Sequence, residues 1–166
     1  MARRVPRMDE RESSAWLHLI TVLELLPPAL DAQLRRDAGL THFEFVVLSV
    51  LRFAPDQTMR MKALAEAVAS TLPRLSHVVA RLESRGLVSR RPVADDRRAS
   101  DVMLSDEGRR AGVLATPGHI ATVRRLVFDV LDDGGIERLD DVAGRIARGL
   151  DPDDRFGTGV TGEPSA

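Results

Sequence analysis

The residues best equipped for chemistry in this chain are arginines. In the stretch VSRRPVADDRRASDVML, Val88 to Leu104, Arg90, Arg91, Arg97 and Arg98 crowd around Asp95 and Asp96. A guanidinium presents a planar fork of donors that matches a phosphate or a base edge. A neighbouring carboxylate can hold one such fork in a fixed direction by a bidentate pair. Alternating runs from Leu87 to Val93 and from Ser100 to Leu104 flank the charged knot and predict an antiparallel hairpin. Hairpin tips are ordinarily built from Asn-Gly or Asp-Gly, chosen for backbone shape. Arginines gain a purpose there if the tip enters the narrow, electronegative minor groove of DNA. A solvated charged loop is the competing explanation, so the elements that position the knot matter.

The segment just before the hairpin, STLPRLSHVVARLESRG, predicts a helix. Thr71 suits the N-cap, and Pro73 sits in the first turn, where its missing N–H is harmless. Leu75, Val78, Val79 and Leu82 form an apolar stripe. The opposite face carries Ser76, His77, Arg81 and Ser84, with Arg74 on its flank, and Gly86 stands where a C′ glycine would. A short Ala-rich helix, about 61–69, precedes it across a brief link. Two helices so joined, the second polar and basic outside, predict a helix-turn-helix with the hairpin beside it as a wing. In that setting DNA is the better explanation of the arginines. Arg90 and Arg91, at the base of the hairpin, suit phosphates or the fold.

Upstream, Trp16, Leu19, Ile20, Leu23, Leu26, Leu30 and Leu34 recur at helical spacing over 12–36, with a kink expected at Pro27-Pro28. Gly39 ends that segment, and THFE from Thr41 is a capping box. The helix it opens, about 42–53, is apolar nearly all round and so belongs at the centre of the fold. Asp56-Gln57 is expected to turn. Downstream, Ser105 with Asp106 and Glu107 opens another helix, which Thr116-Pro117-Gly118 is expected to interrupt. A loop at Asp132 to Gly135 precedes a final helix, Ile136 to Leu150.

Composition removes several function classes. The chain has 166 residues and no cysteine, which excludes disulfides, thiolate metal sites and thiol-based sensing, and fits a cytoplasmic setting. The N-terminus lacks the apolar stretch of a signal peptide, and the longest apolar run, FVVLSVL, is too short to span a bilayer. Net charge is −1, yet Pro73 to Arg98 holds seven arginines against three acids, whereas the region after Asp129 is acidic. His18, His42, His77 and His119 lack the spacing of a two-His metal motif, so no metal and no cofactor are expected. GTGVTG, Gly157 to Gly162, has the letters of a dinucleotide motif without the strand and helix the motif requires. No nucleophile elbow, phosphate loop or paired carboxylates point to an enzyme.

Residues 74–108, above all RLSHVVARLESRGLVSRR and DDRRASDVMLSDEG, resemble the MarR (multiple antibiotic resistance regulator) family of bacterial winged-helix transcription factors. Asp96, Arg98, Leu104, Ser105 and Gly108 take the places of the family's wing pattern, with Ser105 where Thr is usual and Pro73 where Ser often stands. The resemblance extends from Trp16 to Leu150. It implies a mainly α fold: a single domain over 12–150, with a winged helix-turn-helix core over 41–105, a small β-hairpin wing, and N- and C-terminal dimerisation helices over 12–36 and 106–150. The ends, 1–11 and 151–166, are then disordered tails. It further implies a homodimeric, ligand-responsive repressor on double-stranded DNA with an inverted-repeat operator. The DNA contacts fall to Arg74, Ser76, His77, Arg81, Arg97 and Arg98, with Arg98 in the minor groove and Asp96 orienting it. Family members bind aromatic anions between the dimerisation helices and the core, which nominates Trp16, His18, His42, Phe45 and His119 for a small aromatic or carboxylate effector. A winged helix serving only protein interaction is the alternative, and a small enzyme a weaker one.

Overall fold

The computed structural model describes residues 7–93, 96–132 and 134–156, with the backbone alone for 96–99. Along the chain run α1 (Glu10–Ala38), α2 (His42–Phe53), a 3-10 turn (Pro55–Gln57), β1 (Thr58–Arg60), α3 (Met61–Ala67) and α4 (Leu72–Ser84). They are followed by β2 (Val88–Val93), β3 (Asp96–Leu104), α5 (Asp106–Val123), a π-helical turn (Arg124–Phe128) and α6 (Gly135–Leu150). The mainly α winged-helix architecture is the expected one.

The capping box at Thr41 forms: its hydroxyl accepts the Glu44 N–H at 3.0 Å, and Glu44 Oε2 accepts the Thr41 N–H at 2.7 Å. The helix it starts is central, its Phe45, Val47, Leu48 and Leu51 buried in one core with Leu34, Leu40, Leu64, Leu75, Val79 and Leu82. Each fully buried aliphatic side chain contributes roughly 1.5–3 kcal/mol. Small aliphatics thus hold α2, α3 and α4 in one core with little aromatic help.

Several boundaries differ from expectation. A second capping box, between Asp9 and Glu12, starts α1 at Glu10, so the helix extends into the expected N-terminal tail. It then continues through Pro27 and Pro28 to Ala38, where Gly39 takes the left-handed conformation at φ 62°. α3 ends at Ala67, two residues early. β1 was not expected; three residues are too few for periodicity to register. It turns the hairpin into a three-stranded antiparallel sheet, ordered β1-β3-β2. β3 begins at Asp96 rather than Ser100. Pro92 pairs with Ser100 and Val93 with Asp96, so Arg97, Arg98 and Ala99 lie in a register shift between consecutive pairings.

α5 is not interrupted at Thr116-Pro117-Gly118. The Thr116 hydroxyl bonds the Gly112 carbonyl at 2.8 Å, and Gly118 lets α1 approach closely, since a Cβ there would stand 3.0 Å from Gln33 Nε2. The irregularity falls later, in the π turn, where the Asp129 N–H bonds the Arg124 carbonyl at 2.8 Å. The first residues of the expected C-terminal tail are ordered by Asp151, which accepts the Phe156 N–H at 2.7 Å. The GTGVTG stretch lies outside the described residues.

Two long faces remain uncovered. On α1, Trp16, Leu17, Val22, Leu23 and Leu25 are exposed; on α6, Ile136, Leu139, Val142, Ile146 and Leu150 are exposed. By length and composition alone α1 is apolar enough to cross a membrane, which the search for a continuous apolar run did not anticipate.

Candidate nucleic-acid interface

α4 forms as its sequence demands. Thr71 Oγ1 accepts the Arg74 N–H at 3.5 Å, Pro73 sits in the first turn, and Leu75, Val79 and Leu82 are buried. That burial turns Arg74, His77 and Arg81 outward, all exposed, with Ser76 half-buried beside them. The Arg74 guanidinium lies 4.7 Å from the Phe43 ring centroid, so the α2 ring carries it as a cation–π platform.

Arg81 has a second role that the sequence did not disclose. Its Nε donates to Glu44 Oε1 at 2.7 Å, while Arg85 Nη1 reaches the same oxygen at 3.5 Å. Glu44 is 2% exposed, whereas the Arg81 side chain remains 53% exposed. Burial pushes the Glu44 carboxyl up, but hydrogen bonds from the Thr41 backbone and Arg81 outweigh it, and the carboxyl sits below its ordinary range. The Thr-x-x-Glu spacing identified Glu44 as a cap and gave no sign that its other oxygen serves α4.

On the opposite flank, Glu83 of α4 holds the wing. Glu83 Oε1 accepts the Arg90 N–H at 3.1 Å, and Oε2 accepts Arg90 Nε at 2.8 Å. The Arg90 guanidinium lowers the Glu83 carboxyl accordingly. Across the sheet Arg60 pairs with Asp101 at 3.2 Å, tying β1 to β3. At the wing base Ser105 joins three elements: its hydroxyl donates to the Gly86 carbonyl at 2.7 Å and accepts the Gly108 N–H at 2.9 Å. Arg90 therefore serves the fold, and Arg91 stays exposed. The side chains of Asp96, Arg97 and Arg98 lie outside the described residues; their backbone places them at the register shift in β3. β-bulges of this kind re-aim side chains.

The five residues nominated for an effector divide into two groups. His42, Phe45 and His119 meet where α2 and α5 pack: the His119 ring lies 4.7 Å from Phe45 and 5.8 Å from His42, stacked on the latter. Burial lowers both histidine pKa values; Asp31 partly opposes this at His42, and His42 reinforces it at His119. Trp16 and His18 are exposed on the far half of α1, about 24 Å along the helix from Gln33 at 1.5 Å per residue. Within one chain they do not join the cluster. Gln33, not nominated, does border it: it is 3% exposed, and its Oε1, like His119 Nδ1, is buried without a hydrogen-bond partner among the described residues. The detectable signal was a Gln standing beside Leu30 and Leu34 on an apolar stripe. Among the described residues no three His, Asp or Glu side chains are grouped to hold a metal.

The sequence model of the MarR family matches residues 38–99, from the end of α1 into β3. Among solved structures, Sco3205 from Streptomyces coelicolor, a MarR family transcriptional regulator in complex with DNA, is 37% identical. The match covers 92% of this chain and 96% of that one, with a TM-score of 0.83. AbsC, a MarR family transcriptional regulator from the same organism, is 32% identical over 88% of this chain and 98% of that one, with a TM-score of 0.80. CouR from Rhodococcus jostii RHA1, bound to p-coumaroyl-CoA, is 25% identical over 85% and 96% of the respective chains, with a TM-score of 0.67.

Proposed function

This chain belongs to the MarR family of transcriptional regulators, and we propose that it acts in the cytoplasm as a homodimeric, sequence-specific repressor, not an enzyme, released from DNA by a small effector. The observation that carries DNA reading is the outer face of α4. Arg74, His77 and Arg81 project from a helix whose other side is locked into the core. The wing stands beside that face, held to α4 by Glu83. Sco3205, similar over nearly its whole length, was solved on DNA.

The dimer is supported by the uncovered stripes of α1 and α6, too extensive to be left in water on a monomer. A two-fold axis through these helices sets two α4 helices toward successive major grooves, about 34 Å apart. Arg74, Ser76, His77 and Arg81 then face base edges and phosphates in each groove. Arg97 and Arg98 reach the adjacent minor groove, with Asp96 orienting Arg98. Phosphate contacts set register, and the base-edge contacts of α4 carry the sequence information.

The effector reading is supported by the His42–Phe45–His119 cluster and by two buried polar atoms, His119 Nδ1 within it and Gln33 Oε1 on the part of α1 that meets Gly118, which offer one imidazole nitrogen and one acceptor. An aromatic ring with a carboxylate or phenol matches that lining. Trp16 and His18 can reach such a pocket only from a partner subunit. A ligand there bears on α1, α2 and α5 together, and lowers DNA affinity to the extent that it favours a different spacing of the two α4 helices. CouR was solved bound to p-coumaroyl-CoA.

Footprinting across the DNA upstream of the gene is the direct test. A protected region with dyad symmetry is expected. Protection without symmetry, or none at any site, refutes the homodimeric repressor.

A further inference from the structure

A helix surface crowded with arginines binds any DNA, because every duplex offers phosphates. Sequence selectivity needs those arginines to be aimed. Arg81 in the last turn of α4 and Arg85, the residue that caps that helix, both end on one oxygen of a carboxylate that is 2% exposed. That carboxylate cannot drift: its other oxygen is fixed by the Thr41 N–H at 2.7 Å, inside the cap of α2. Arg81 is thereby anchored through Nε while half its side chain stays exposed. An unanchored arginine samples many rotamers and takes the nearest phosphate, which carries no sequence information. One anchored at Nε presents its Nη edge in a single direction and loses less entropy on binding.

We propose that Glu44 is a specificity-determining positioning residue: it withholds Arg81 and Arg85 from the phosphate backbone and aims Arg81 at base edges. It touches no DNA itself. Glu83 completes the arrangement from the other flank, since its clamp on Arg90 stops α4 from rolling relative to the wing. This inference rests on the DNA-reading function given above.

The assignment makes an unusual demand. Deleting the carboxylate charge must improve binding to the wrong DNA while degrading discrimination. Glu44→Gln is suited to the test, because Gln also serves at the third position of a capping box. The full-length wild type first selects a motif from a random duplex pool. Wild type and variant are then titrated with that motif and with a scrambled duplex at several salt concentrations. With two arginines released in each subunit, the salt slope on the scrambled duplex is expected to steepen by about one to two units per subunit, at roughly 0.9 per phosphate neutralised. Binding to that duplex tightens. The ratio of motif to scrambled affinity falls roughly 5- to 150-fold for each half-site, the discrimination of one good base-edge contact.

If circular dichroism shows Glu44→Gln unfolded, Arg81→Lys decides instead. The ammonium keeps the charge but has no second donor edge to present while bound to Glu44, so a reduced ratio is expected with the salt slope unchanged, because Glu44 still holds both cations. A folded variant with the wild-type ratio and slope overturns the proposal. So does equal weakening on both duplexes, which marks Glu44 as structural only. A wild type that enriches no motif overturns the DNA-reading function instead.

Discussion

Gly108 offers the sharpest quantitative test of how the wing is mounted on α5. A Cβ built at this position would stand 2.0 Å from the Leu87 carbonyl oxygen and 2.9 Å from both the Leu87 carbonyl carbon and Leu104 Cδ1. The Leu104 side chain can rotate away, but Leu87 cannot. Its carbonyl accepts the Ser105 N–H at 3.1 Å, its own N–H bonds the Leu82 carbonyl at 2.9 Å, and its side chain is 8% exposed. Accommodating a methyl group requires the start of β2 and the start of α5 to part by about an ångström. Overpacking of this kind costs about 1–3 kcal/mol, and loss of the Ser105–Leu87 hydrogen bond adds about 1 kcal/mol. Alanine's better helix propensity returns about 1 kcal/mol. Gly108→Ala is therefore expected to destabilise by about 1–3 kcal/mol net. Gly112→Ala, one turn later, would place its Cβ 4.0 Å from Leu48 Cβ, an ordinary contact. It is expected to be neutral, or stabilising by up to about 1 kcal/mol. Urea unfolding followed by circular dichroism at one fixed protein concentration compares the two. A Gly108→Ala midpoint at or above that of Gly112→Ala refutes the packing argument.

Arg98→Ala is expected to weaken binding to the selected motif by about 1–3 kcal/mol per subunit, whereas Arg91→Ala should weaken motif and scrambled duplexes alike; a fluorescence anisotropy series separates them. Leu139→Glu combined with Ile146→Glu on the exposed face of α6 should yield monomers in sedimentation, and an unchanged dimer would place the interface elsewhere. Because burial holds His42 and His119 below the ordinary histidine value of 6.5, the unfolded chain binds more protons than the folded one. Stability should be full above about pH 6.5 and fall as the pH drops from there through the lowered folded values, and His119→Gln should flatten that slope in unfolding curves taken across the window.

Much of the fold was legible because its signals are local. Thr41 with Glu44, Thr71 before Pro73, and Ser105 before two acids are caps, and each formed where its spacing placed it. The errors came where a local rule met a tertiary contact. Thr116-Pro117-Gly118 looks like a break, yet α5 runs through it packed against α1, with Gln33 lying against Gly118. β1 was missed because Thr58–Arg60 has no pattern of its own and becomes a strand only by pairing with Asp101–Met103. Gln33 escaped notice for a related reason: a polar residue inside an apolar stripe acquires meaning only when it is seen buried against Gly118 of α5 with an unpartnered oxygen.

The arginines show the same limit in energetic terms. Counted along the sequence, Pro73 to Arg98 is a strongly basic surface available to DNA. In the fold Arg81 and Arg85 share Glu44, Arg90 is held by Glu83, and Arg74 rests on Phe43. Each of these partners lies on a different element from the arginine it holds, so no spacing rule within one helix could reveal it. The consequence reaches binding. An arginine neutralised by a carboxylate releases fewer counterions when it meets a phosphate, so the charge count overstates the salt dependence of non-specific affinity. What the surface gives up in general attraction it gains in fixed donor direction, the property on which discrimination between base pairs depends.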